Sequence, residues 1–146
     1  MVNFRKITEE NFNVIINMKR PEGENLVASN AVSLAQAWLY REDGDVFPFA
    51  IYNDDTPVGF MLLEEEMDEK QLDLWRIMLS PEFEGKGFGT AAVALLIQYA
   101  RASGRYQRLS LLCAHANANA RHIYDKLGFE PTGNICYGDV EMKLVL

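Results

Sequence analysis

Cysteine is scarce in this chain of 146 residues: there are two, Cys113 and Cys136. Both sit in apolar, strand-like runs, so the expectation is buried structural thiols rather than a disulfide framework or a nucleophile. Histidine is equally rare. His115 and His122 stand seven apart, with no cysteine pair and no H-x-x-x-H spacing, and no metal site is expected. Neither Ser nor Cys has the G-x-S-x-G setting of a nucleophile elbow, which argues against a covalent acyl-enzyme. Basic residues are outnumbered, 14 Lys and Arg against 21 Asp and Glu, for a net charge of −7. Such a balance repels a phosphodiester backbone, so nucleic acid is not expected as a partner, whereas a cationic small molecule is compatible with it. No run approaches the roughly 18 apolar residues of a membrane helix, and no membrane is expected. Residues 1–6 lack the apolar core of a signal peptide, so the cytoplasm is the expected compartment. Repeats, linkers and low-complexity segments are also missing. One domain spanning 1–146 is expected.

What the sequence does have is a glycine-rich turn, Phe83-Glu84-Gly85-Lys86-Gly87-Phe88-Gly89-Thr90. A strand-like run from Leu72 to Leu79 precedes it, and a helix-forming run from Ala91 to Ala102 follows. Strand, glycine turn and helix in that order build an anion site. The first N–H groups of a helix lack intrahelical partners, the helix dipole is positive there, and glycines let a diphosphate approach the backbone. A phosphate-bearing cofactor is the expected ligand. The P-loop string G-x-x-x-x-G-K-[ST] is absent. Gly87 to Ala92 fits G-x-G-x-x-A, but the strand-like run Arg108–Ala114, roughly 20 residues on, holds no acidic residue for a ribose.

Taken in order, residues 2–7 read as a strand, and Thr8 as the cap of a helix over 9–18 with Phe12, Ile15, Ile16 and Lys19 on one face. Residues 21–25 form an acidic loop. Ser29 or Asn30 caps a second helix through 33–39. Strands over 47–53, 58–63 and the run containing Trp75 make an antiparallel meander with turns at 54–57 and 67–70. The helix after the glycine turn stops at Gly104, and the crossover sets Arg108–Ala114 parallel to the strand before the turn. A helix over 117–127, a strand from Glu130 punctuated by Gly133-Asn134, and a last strand over 140–146 complete the chain. The fold class is α/β with a mixed sheet.

Two blocks carry a resemblance. Residues 84–89 resemble the acyl-CoA turn [QR]-x-x-G-x-[GA] of the GNAT N-acetyltransferase superfamily, with Glu84 standing where that pattern has Gln or Arg. Asn117, Ala120, Tyr124 and Gly128-Phe129 resemble the same family's N-x-x-A-x-x-x-Y-x-x-x-G-F stretch, in the family's order. Residues 27–37, the run Leu74-Trp75-Arg76-Ile77-Met78 and residues 129–133 are similar to BltD-type bacterial spermine/spermidine acetyltransferases.

The resemblance implies a central mixed sheet splayed between two parallel strands, with helices on both faces. It implies acetyl-CoA as cofactor, its pantetheine paired with the main chain of Ile77, Met78 and Leu79. The pyrophosphate would lie on Glu84, Gly85, Lys86, Gly87, Phe88, Gly89 and Thr90, and Asn117 would cap a helix and bond the CoA amide. It implies Tyr124 as the acid that protonates the leaving thiolate. The acceptor is a primary amine, expected to be a polyamine held by carboxylates among Glu22, Glu24, Glu65 and Asp139. Rival readings are another amine (a protein N-terminus, a lysine, an aminoglycoside) or a non-catalytic acetyl-CoA sensor. The general base is unassigned. A homodimer pairing through the exposed last strand is compatible with the family.

Overall fold

A computed structural model describes residues 1–19 and 28–146. The elements run β1 (Val2–Lys6), α1 (Phe12–Asn17), α2 (Asn30–Leu39), β2 (Val46–Asn53), β3 (Thr56–Glu66), β4 (Gln71–Leu79), α3 (Phe88–Ser103), β5 (Arg108–Cys113), α4 (Ala118–Lys126), β6 (Glu130–Cys136) and β7 (Asp139–Val145). One seven-stranded sheet has the order β1-β2-β3-β4-β5-β7-β6. The β1–β4 meander is antiparallel, β4 and β5 are parallel, and β5, β7 and β6 are again antiparallel.

Alternation along the strands sends apolar side chains to two separate cores. On one face Val93, Leu96, Ile97 and Ala100 of α3 pack with Leu72, Leu74, Leu109, Leu111 and Met142, and Tyr124 and Phe129 close that layer. On the other face Ile15 and Met18 pack with Ala50, Tyr52, Phe60, Leu62 and Met78, with Leu34 and Ala37 of α2 laid over them. Helices thus cover both faces.

The register between β3 and β4 slips once. Leu62 lies opposite Arg76 but Leu63 lies opposite Leu74, so Trp75 is an extra residue, a β-bulge. Parallel pairing of β4 with β5 ends at Leu74↔Leu111, immediately before the bulge. The bend and added twist of a bulge carry Trp75–Leu79 away from the end of β5. The sheet opens there, at the carboxyl ends of its two parallel strands.

Local expectations fared unevenly. Ser29 is the α2 cap, its Oγ accepting from the Val32 N–H at 3.2 Å. Gly104 ends α3 in the left-handed region. Thr8 does not cap α1. Asn11 accepts from the Thr8 N–H at 2.8 Å and donates to the Lys6 carbonyl at 3.1 Å, which ties residues 8–11 into a turn and delays the helix to Phe12. Its buried face is Ile15 with Met18 beyond its end, while Phe12 is exposed. The last strand is not exposed at its edges: β7 lies between β5 and β6, so β6 is the free edge on that side. The acidic loop at 21–25 lies outside the described residues, Glu22 and Glu24 with it. No helix of the described residues is long and apolar enough to cross a membrane.

Candidate active site

The opening between β4 and β5 is a cavity of about 730 Å³. Its walls are Leu74–Leu79 of β4, the glycine turn and first turn of α3, Leu112 and Cys113 of β5 with Ala114 after them, and one side of α4. Ile77, Met78 and Leu79 all line it, beyond the last residue that β5 pairs. Their backbone groups on that side therefore have no strand to bond. Behind them β3 comes very close: a Cβ built on Gly59 would lie 2.4 Å from the Met78 carbonyl oxygen. Glycine at position 59 lets the two backbones sit together, and sequence reading passed over it. A lone glycine inside the apolar run 58–63 was the available signal.

The glycine turn forms the cavity's end. Gly85 and Gly87 have φ of 77° and 83°, a region favouring glycine, and a Cβ at either would meet nothing within 4 Å. Gly87 is the N-cap of the 16-residue α3, so uncapped N–H groups and the positive end of its dipole face open space. This is the shape a diphosphate requires, and the residues fit one. Glu84, Gly85, Gly87, Phe88, Gly89 and Thr90 line the cavity. Lys86 sits on the turn but not on the wall, its ammonium 5.8 Å from the centroid of the Phe83 ring. Gly89 is different from its neighbours: a Cβ there would make ordinary contacts of 3.5 Å with Leu79 and 3.7 Å with Ile123.

Asn117 caps α4, its Oδ1 accepting from the Ala120 N–H at 3.2 Å, and it lines the cavity. One helical face on, Tyr124 is 7% exposed and stacks edge-on to Phe129, with centroids 5.8 Å apart. Its hydroxyl has no hydrogen-bond partner among the described residues, and the residue lines the cavity. Burial pushes the phenol above its ordinary value, and the Cys113 thiol nearby adds to the effect. It stays protonated throughout the neutral range. Cys113 is a buried free thiol, likewise raised by burial, with Arg121 opposing and Asp139 and Asp125 reinforcing. A thiol held neutral is a poor nucleophile.

Of the carboxylates proposed for an acceptor, Asp139 lines the cavity and Glu65 does not. Glu65 accepts from the Tyr106 hydroxyl at 2.5 Å and pairs with Arg105 at 3.0 Å, its side chain 8% exposed. It lies opposite Leu72, on the closed side of the bulge. Its partners are some 40 residues ahead in the chain, beyond the reach of local sequence patterns. Tyr137 was missed. It is fully exposed at the β6–β7 hairpin with φ 53°, next to Gly138 at 84°, and it lines the cavity beside Asp139. The Tyr-Gly-Asp turn was its only sequence signal. Arg76 lines the cavity as well, bonded to Ser33 and Gln36 of α2.

Residues 12–129 match the model of the acetyltransferase (GNAT) family. The spermidine N(1)-acetyltransferase of Escherichia coli (strain K12) is 32% identical over 89 residues, covering 61% of this chain and 48% of that protein. The chain thus spans about half the length of that relative. The spermine/spermidine N(1)-acetyltransferase of Bacillus subtilis (strain 168) is 24% identical over 141 residues, 92% of this chain and 91% of that protein. Among solved structures, an aminoglycoside acetyltransferase AAC(6')-Ib with coenzyme A superposes with a TM-score of 0.81 at 18% identity, covering 99% of this chain and 95% of that one. Spermidine N-acetyltransferase from Vibrio cholerae, with CoA and spermine, gives 0.77 at 19% identity, with the same coverage. At such identities the likeness establishes the fold, a mixed sheet opened between two parallel strands.

Proposed function

This chain belongs to the acetyltransferase (GNAT) family, and from that premise we propose that it transfers the acetyl group of acetyl-CoA to a primary amine, with a polyamine as acceptor. The observation that carries the reading is one continuous cavity that joins the Gly85–Gly87 turn to Tyr124 across the unpaired edge of β4. A long cofactor with an anionic end and a reactive end needs this layout.

Bound there, acetyl-CoA supplies an activated thioester. The chain's own residues do the rest. Residues 84–90 hold the diphosphate through backbone N–H groups at the start of α3. Main-chain groups of Ile77, Met78 and Leu79 align the pantetheine arm, and one of their N–H groups polarises the acetyl carbonyl. Asn117 orders the start of α4 and offers its amide to the same arm. Tyr124 donates its phenolic proton to the sulfur as the C–S bond breaks, a role its raised pKa and unoccupied hydroxyl permit.

Polyamine as acceptor is supported by the names of the two relatives and by Asp139 and Tyr137 at the cavity rim. A carboxylate and an exposed aromatic face both attract an ammonium group. Glu65, paired with Arg105 and hydrogen-bonded by Tyr106, is left out of this assignment.

The test is thiol release from acetyl-CoA with spermine, spermidine, putrescine, lysine, a peptide and an aminoglycoside. Turnover led by spermine or spermidine and lowered 10²-fold or more by Tyr124→Phe supports the reading. Turnover led by another amine keeps the enzyme class and replaces the acceptor. Coenzyme binding without turnover on any amine points to a sensor.

A further inference from the structure

The transfer proposed above needs a neutral amine, yet no carboxylate stands on β4 where the thioester would lie. What stands there is Arg76. The bulge at Trp75 turns two consecutive side chains, Trp75 and Arg76, toward the α2 face. The Arg76 guanidinium donates from Nη1 to Ser33 Oγ at 3.2 Å and to Gln36 Oε1, and lies 4.8 Å from the centroid of the Trp75 ring. Every one of these partners is neutral, and no carboxylate among the described residues forms an ion pair with Arg76. The site fixes the cation in place with no ion-pair partner among the described residues.

We infer that Arg76 lowers the proton affinity of the amine bound in the cavity, so that a fixed positive charge stands in for a general base. A like charge close by disfavours the ammonium form, and the water-poor setting of a half-buried guanidinium strengthens the effect. Two carboxylates share the cavity wall, Glu84 and Asp139, and neither forms an ion pair with Arg76. On α4 and β5, Tyr124 and Cys113 are held neutral by burial. His122, also on α4, lines the same cavity. Glu84 belongs to the glycine turn at the diphosphate end, and Asp139 begins β7 at the hairpin, with Tyr137 beside it. A polyamine would therefore lie with its charged nitrogens toward Asp139 and its reacting nitrogen, discharged, at Arg76.

The proton balance is simple. The bound ammonium loses a proton to water, and its nitrogen attacks the acetyl carbonyl carbon. The C–S bond breaks, the sulfur takes the Tyr124 proton, and the new amide's surplus proton leaves to water, from which Tyr124 is reprotonated.

This rests on the acetyl-transfer reading, and the experiment separates the two. kcat is followed from pH 6 to 10 at saturating acetyl-CoA, with the amine that turns over fastest, in wild type, Arg76→Met, Arg76→Lys and Gln36→Glu. The acid limb of kcat reports the bound amine. Arg76→Met is expected to move that limb up by about one pH unit, cutting kcat at pH 7 about tenfold and leaving it near wild type at pH 10. Gln36→Glu, which gives Arg76 a carboxylate partner without removing it, moves the limb the same way. Arg76→Lys leaves it in place. A merely structural role would scale kcat evenly at every pH. If the acid limbs of Arg76→Met and Gln36→Glu both coincide with that of wild type, the inference is overturned while the acetyltransferase reading stands. A wild type silent with every amine overturns both.

Discussion

Gly59 on β3 and Met78 on β4 approach so closely that a single added methyl group at Gly59 would sit 2.4 Å from the Met78 carbonyl oxygen. Relief requires β4 to move, since that oxygen belongs to the backbone. Met78 is one of the residues that border the cavity, so packing along one edge of β4 positions the backbone that faces the cavity at its other edge. Gly59→Ala is expected to cost roughly 1–3 kcal/mol of stability, as overpacking does. It should also raise the KM for acetyl-CoA. Denaturant unfolding and steady-state kinetics check the two effects together.

The three glycines of the turn are not equivalent. Gly87 holds φ of 83° at the head of α3, and a side chain there costs about 1–2 kcal/mol in backbone strain and would stand in the space proposed for the diphosphate. Gly89 is helical, with only ordinary contacts awaiting a Cβ. Gly87→Ala should therefore weaken CoA binding at least tenfold in a calorimetric titration. Gly89→Ala should change it by much less.

Glu65 and Asp139 separate structure from recognition. Glu65→Gln breaks the pairing with Arg105 and weakens the bond from Tyr106, whose phenol burial and Glu65 together push up to about 12. It should lower the melting temperature and leave the KM of the amine unchanged. Asp139→Asn should do the reverse, raising the KM for a polyamine several-fold with little effect on melting.

A carboxylate cluster sets a pH dependence of stability. Glu64, Glu66 and Asp73 bring their oxygens within 4.8 Å of one another. Asp73 also accepts from Ser110 Oγ at 2.6 Å and from Gln71 Nε2 at 2.7 Å. Burial first, then the hydrogen bond and charge of Asp73, raise Glu66 from 4.5 to about 7, with Lys143 opposing. A raised folded-state pKa favours the protonated form. Its contribution is full below about pH 4.5, declines as pH rises, and is gone above about 7. Glu66→Gln, which keeps the neutral form, should match wild type in melting temperature near pH 5 and exceed it at pH 8.

How far the sequence could be read follows from the range of each interaction. The strand–turn–helix around Gly85–Gly87, the caps Ser29 and Asn117, and the stop at Gly104 are local, and they were legible. The meander and the parallel crossover followed from short turns and one intervening helix. Trp75's place as an extra residue was not legible, because register is settled between strands and not within one. The same holds for Glu65, whose partners Arg105 and Tyr106 arrive from beyond α3. Arg76 was not legible as a site residue, since Ser33 and Gln36, which hold it, lie on a helix about 40 residues earlier. Asn11 displaced Thr8 because its amide satisfies two backbone groups at once, a choice spacing alone does not reveal.

The account's central claim is that the opening between β4 and β5 holds coenzyme A, and titration of the protein with CoA tests it most directly. Saturable binding at one site per chain, weakened by Gly87→Ala and accompanied by a rise in melting temperature, is the predicted result. No heat of binding and no thermal shift at millimolar CoA would contradict it.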